Sequence, residues 1–190
     1  MPKAYVALHH SPTGCCNRFM TKYAGFLRGV NVGGVNLKMA EVADALTKAG
    51  FKNVRTILAS GNVLLESDSG VEAVRKKAEA ALRERFGYDA WVLAYDIETV
   101  RNIDHAYPFE REVDGYQSYI TFVTDADVLD ELAELTAGPR ERIQRGEGVI
   151  YWQVPKGSTL DSTIGGTMGK KRYKASTTTR NLRTLAKVLK

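Results

Sequence analysis

The residues best equipped for chemistry in this chain fall in a few short stretches. "FLRGVNVGGVNLKMAEV" (Phe26 to Val42) joins an apolar strand-like run to a helical pattern through a glycine-rich turn carrying Arg28, Asn31, Gly33 and Gly34. A turn so placed can offer backbone N–H groups and the positive end of a helix to an anion. "ASGN" supplies Ser60, Gly61 and Asn62, and "TTRN" places Arg180 and Asn181 beside an expected helix N-terminus. A guanidinium next to an amide that both donates and accepts suits phosphate or carboxylate. The competing use is structural. Asn and Thr also satisfy free backbone groups at turns and helix ends, and Arg180 could pair with any of the chain's 22 acids.

Spacing removes several familiar chemistries. The glycines of the first turn stand at Gly29, Gly33 and Gly34, which is not G-x-G-x-x-G, so a dinucleotide cradle is not expected. "GGTMGKK" (Gly165 to Lys171) resembles a phosphate loop but has only three residues between Gly165 and Gly169, with Lys171 where the magnesium-binding hydroxyl belongs. Ser60 lacks the G-x-S-x-G elbow and a His partner. His105 stands alone, and Asp125 and Asp127 fit helix capping better than acid–base work. His9, His10, Cys15 and Cys16 come as adjacent pairs without the spacer a tetrahedral zinc needs. No catalytic constellation, metal or cofactor is expected.

The 27 Lys and Arg against 22 Asp and Glu give a formal charge of +5, a mild bias toward acidic partners, with the excess gathering late in "GKKRYK" and "RNLRTLAKVLK". No apolar run approaches the roughly 18–20 residues of a membrane span, and we expect a cytoplasmic protein. Residues 1–19 hold both cysteines, two of the three histidines and two of the five prolines. They read as an extension lacking the apolar core of a secretory signal, with Met20 as the expected natural start.

These contacts must be positioned by α+β elements. "YAGFLRG" reads as a strand, and Met39, Val42, Ala43 and Leu46 share a helix face that Gly50 ends. "NVRTILASGNVLLES" reads as a hairpin turning at "ASGN". Ser69 and Glu72 suggest a capping box opening a helix that runs to Gly87, and "AWVLAY" follows as a strand. Residues 20–97 thus have the order βαββαβ, a ferredoxin-like subdomain with two helices on one face of a four-stranded antiparallel sheet. An RNA-recognition motif shares that order but needs exposed aromatics, which "GNVLLES" does not offer.

Residues 98–190 are expected to form a smaller α+β subdomain. It comprises the short piece "IETVRNIDHAYPFE", the strand "SYITFV", a helix through Val128, Leu129, Leu132 and Leu135, a hairpin turning near Gly146 to Gly148, and a C-terminal amphipathic helix capped by Thr177 or Thr178. Its strand order is open, and no internal repeat is seen.

"YAGFLRGVNVGGVNLKMAEV", "RTILASGNVLLES", "YWQVPKG" and "TTRNLRTL", in that order, resemble the bacterial family of unknown function DUF1697 over about residues 20–190. The resemblance implies a fold of two α+β subdomains and no accepted activity, cofactor or catalytic residue. Matched position by position, it makes Arg28, Asn31, Gly33, Gly34, Ser60, Gly61, Asn62, Lys156, Arg180 and Asn181 the candidate contacts. The function expected first is a binding module for an anionic small molecule, a nucleotide or nucleic acid. An enzyme acting on a phosphorylated small molecule and a purely structural or protein-interaction role are the alternatives.

Overall fold

β1 (Thr21–Arg28) reads TKYAGFLR, and its alternation buries Tyr23 and Leu27 on one face and Ala24 and Phe26 on the other. A strand buried on both faces must lie inside a sheet. In the computed structural model, which describes residues 20–28, 37–173 and 175–190, β1 sits between β3 and β4 in the order β2-β3-β1-β4. The elements are α1 (Met39–Lys48), β2 (Lys52–Ile57), β3 (Asn62–Ser67), α2 (Val71–Phe86) and β4 (Trp91–Asp96), all strand pairs being antiparallel. This is the ferredoxin-like arrangement. Val42, Leu46, Val74, Ala78 and Leu82 pack α1 and α2 onto the Tyr23 face. Gly50, at φ 93°, and Gly87, at φ 64°, stop these helices in the left-handed conformation that costs glycine least.

β4 runs directly into α3 (Ile97–His105), whose N-cap Asp96 accepts from Thr99 N at 2.9 Å. The same plan then repeats. β5 (Tyr116–Val123), α4 (Ala126–Ala133), β6 (Arg142–Arg145), β7 (Val149–Pro155), α5 (Thr163–Met168), a 3-10 turn (Lys171–Tyr173) and β8 (Thr177–Asn181) build a second antiparallel sheet ordered β6-β7-β5-β8. β8 runs into α6 (Leu182–Val188), N-capped by Asn181, whose side chain accepts from Arg183 N at 2.9 Å.

The two registers can be overlaid residue by residue. Tyr23 faces Asp96 and Tyr119 faces Asn181, so Tyr23 matches Tyr119, Phe26 matches Phe122, and the two capping residues match each other. Leu27 N donates to Gly61 O at 2.7 Å, and the corresponding Val123 N donates to Gly148 O at 2.9 Å. Both glycines hold positive φ, 74° and 65°. The repeat therefore exists in backbone and register, although little more than a Tyr-x-x-Phe pair and a hairpin glycine marks it in the sequence.

α4 and α5 cover the outer face of the second sheet through Leu129, Leu132 and Ile164 against Ile150, Trp152 and Val154. The remaining faces of the two sheets meet in one core of Ala24, Phe26, Leu93, Ile120, Phe122 and Tyr151, with α3 and α6 completing the seam. Phe26 and Phe122, both fully buried, lie 4.8 Å apart at the ring centroids, and Tyr95 is 5.1 Å from Phe122. Each connecting helix engages the opposite sheet. Tyr151 Oη donates to Ile103 O of α3 at 3.0 Å, and α6 packs against β3.

Two expectations are corrected. "TTTRN" is a strand rather than the start of the last helix, because its β-branched run pairs with the open edge of β5; the cap is Asn181, not Thr177 or Thr178. The Ser69–Glu72 capping box is also absent. Gly70 is the N-cap of α2 with no side-chain bond, Ser69 Oγ turns to Asp68, and Glu72 pairs with Arg75 at 2.9 Å. No helix among the described residues is long and apolar enough to cross a membrane.

Candidate functional site

The hairpin between β2 and β3 is closed by Asn62, which is fully buried and uses every polar atom. Its Nδ2 donates to Ile57 O at 2.8 Å and to Ser60 Oγ at 3.0 Å, while its Oδ1 accepts from Arg180 Nε at 2.5 Å. Ser60 and Gly61 are therefore tied to Asn62 through the turn, and the amide faces the second half of the molecule rather than solvent.

Arg180 reaches this hairpin from β8, 9% exposed. Its Nη2 donates to Leu27 O at 3.1 Å and Gly61 O at 3.4 Å, and its Nη1 to Thr178 Oγ1 at 2.9 Å and Thr179 O at 2.8 Å. The guanidinium carbon lies 5.2 Å from the centre of the Phe26 ring. Each nitrogen thus has a partner, and each partner is neutral or aromatic; none is a carboxylate. Burial, with Arg28's charge as a further cause, lowers the Arg180 pKa to about 10, so the side chain stays cationic at neutral pH.

Arg28 ends β1 and crosses to the start of β8. Its Nη1 donates to Thr177 O, to Thr177 Oγ1 at 3.2 Å and to Tyr173 O at 3.3 Å. No described residue accepts from its Nε or Nη2, and burial lowers its pKa. Tyr173 closes the basic turn that contains Lys171 and Arg172, so the segment after "GGTMG" and the end of β1 meet at this arginine. Asn31, Gly33 and Gly34, which follow in the glycine-rich turn, lie outside the described residues.

Lys156 and Asn181 are elsewhere. Together with Glu112, Gln117, Tyr119 and Arg183 they line a cleft of about 290 Å³ at the opposite end of β5. Arg183 forks onto Glu112, with Nη2 to Oε2 at 2.7 Å and Nε to Oε2 at 3.1 Å, and Lys156 lies 3.6 Å from Asp114. The Arg183 hydrogen bond and charge hold the Glu112 carboxyl below its ordinary range. Asn181 spends its carbonyl on the α6 cap. The candidates therefore divide into an arginine group at the seam and a charge-balanced group at the far end.

Two participants escape a reading of the sequence by motif. Tyr95 holds in β4 the place that Arg180 holds in β8, and burial raises its hydroxyl pKa to about 12. Glu79, 5% exposed in α2, accepts from the edge-strand amide of Val92 at 3.1 Å while pairing with Arg75 at 3.2 Å. The only sequence mark for Tyr95 would have been the repeat itself. Among the described residues no group of three or more His, Cys, Asp or Glu could hold a metal ion.

A family model described as a protein of unknown function, DUF1697, matches residues 20–151. That span contains the first two motifs and ends as the third begins. Among solved structures, the conserved bacterial protein SP0830 from Streptococcus pneumoniae is similar, with a TM-score of 0.74 at 23% identity, covering 90% of this chain and 97% of that one. The likeness concerns the fold. No curated protein matches the chain.

Proposed function

We propose, for a chain that belongs to the DUF1697 family of proteins of unknown function, that it binds an anionic, phosphate-bearing ligand where β1 ends, with Arg28 as the contact and Arg180 as its buried support. The observation behind this reading is a pair of cations close enough for one charge to act on the other, held among the described residues by neutral acceptors. An anion at Arg28 would relieve that repulsion, and Nε and Nη2, from which no described residue accepts, form the edge of a guanidinium suited to two phosphate oxygens. Lys171 and Arg172 in the adjoining turn add positive potential, although Arg172 is already shared with Glu131.

Recognition through phosphate fits better than recognition by base stacking. The sheet faces that an RNA-recognition motif would use are packed against each other, with Phe26, Tyr95 and Phe122 inside the seam. A nucleotide or phosphorylated small molecule in a cytoplasmic setting is the ligand class favoured here. Arg180, its donors already in use, contributes charge and stiffness rather than contact.

Thermal-shift titration with inorganic phosphate, pyrophosphate, nucleoside mono- and triphosphates and a short oligonucleotide tests the reading. A ligand at 100 times its Kd stabilises by about 2.7 kcal/mol, a rise in Tm of roughly 5–10 °C for a domain of this size. Arg28→Ala should abolish the rise, and Arg28→Lys should recover only part of it. An equal rise in Arg28→Ala, or none with any phosphate compound, would overturn the proposal.

A further inference from the structure

We propose that the outer edge of β4 is a docking groove for an extended, Lys- or Arg-bearing polypeptide segment, which adds to the first sheet as a fifth strand. β4 is an edge strand, paired on one side with β1. Because Leu27 N bonds toward β3, Phe26 and its alternates face β4, so Trp91, Leu93 and Tyr95 direct their backbone groups to β1 and Val92, Ala94 and Asp96 direct theirs outward. Glu79 takes the Val92 N–H. No described residue takes the carbonyl of Val92 or either polar group of Ala94, and these are the rungs an incoming strand can use.

A cleft of about 590 Å³ lies along this edge, bounded by Arg75 and Glu79 of α2 on one side and by Val123, Thr124 and Ala175 on the other. It shares Tyr95 and Thr99 with a second cleft of about 550 Å³ that continues to the turn between β6 and β7. The path therefore crosses from one half of the molecule to the other. Two of the large apolar side chains exposed in this protein, Val71 at 41% and Trp91 at 39%, flank it.

Charge selects the occupant. Glu72, Glu79, Asp96 and Glu147 line the path, against Arg75 and Arg145. Arg145 is itself paired with Asp130. An acidic path on a chain of formal charge +5 complements a basic segment and repels an acidic one. The register shows that the corresponding rung of the other half is already taken. Val92 corresponds to Thr177 of β8, and there Arg28 reaches over and occupies the edge carbonyl of Thr177. Thr124, at Arg28's corresponding place, is too short to do the same for β4.

The probe is a capped peptide of roughly six residues, the usual strand length, alternating Lys and Val. Its counterpart alternates Glu and Val, and a third version is N-methylated on alternate amides. Binding to the full chain is read by the fluorescence of Trp91, with Trp91→Phe as the control for buried Trp152, and by hydrogen exchange at Ala94. The Lys peptide should bind and protect the Ala94 amide, and N-methylation should abolish both effects. The double variant Glu72→Lys with Glu147→Lys, both outside the β4 backbone, should weaken binding about tenfold and lessen its salt sensitivity. Ala94→Pro removes the outward donor while sparing the bonds to β1, and should abolish binding with the circular dichroism unchanged. The proposal fails if the Glu peptide binds as well as the Lys peptide, or if no peptide protects Ala94. It also fails if the protein self-associates through this edge, seen as a dimer in sedimentation that Glu72→Lys with Glu147→Lys alters and peptide does not displace. A phosphate-induced thermal shift at Arg28 would stand or fall separately from each of these results.

Discussion

Arg180→Ala should cost about 3–4 kcal/mol of folding stability, read as a shifted urea midpoint, because it strands several buried acceptors at once. Asn62 Oδ1, Leu27 O and Thr179 O would lose their Arg180 donor, Gly61 O would keep only Leu27 N, and a void would open over the Phe26 ring. Arg180→Lys should recover less than half of the loss. One ammonium offers its donors from a single point and cannot span from Thr178 to Gly61 as a planar fork does. The charge itself is a burden at this position, since burial and Arg28 lower its pKa to about 10. What retains it is geometry, for no neutral side chain presents five donors around one plane. Rescue by Lys to near wild-type stability would show that charge matters more than the fork.

The second large effect is expected at the aromatic contact between the sheets. Phe122→Ala removes a fully buried ring that touches Phe26 and Tyr95, at a cost of about 3–5 kcal/mol and a Tm lower by roughly 10 °C. Phe26→Ala should cost a similar amount. In the double variant the two costs should fall short of additivity by about 0.5–1.5 kcal/mol, the coupling typical of an aromatic pair. Strict additivity would mean that each ring serves its own sheet and the seam is not one packed unit.

The parts of the fold legible in the sequence are those decided locally. The apolar face of α1, the glycine stops of α1 and α2, and the tight "ASGN" turn depend on neighbours in the chain, and each appears where its periodicity or turn chemistry places it. β8 was hidden because a run of Thr before Arg180 and Asn181 serves equally as a strand or as a helix cap. The deciding fact is the vacant edge of β5, more than 50 residues earlier. The repeat was hidden for a similar reason. A shared register constrains which side chain faces which space, and leaves identity free wherever the spaces differ.

The candidate site was legible as a set of residues but not as an arrangement. Arg28, Asn62 and Arg180 do come together, and "ASGN" and "TTRN" do meet through their Asn and Arg. That the meeting place is interior could not be inferred, because nothing local distinguishes an arginine bound for carbonyl oxygens from one bound for solvent or a ligand. Asn181, which shares a motif with Arg180, turns with Lys156 toward a different end of the sheet.

The matched registers of β1 with β4 and of β5 with β8 describe, in effect, a dimer whose two protomers are joined by a peptide bond. Two separate identical chains would have to place the same side chain at both equivalent positions beside the seam. With Arg180 at both, two uncompensated cations would be buried; with Tyr95 at both, the Asn62 hairpin would lose its donor. Fusion lifts that constraint and lets one protomer become basic while the other stays aromatic. The polarity of this molecule, cationic where β1 ends and acidic along β4, is a property that covalent linkage permits and symmetry would forbid.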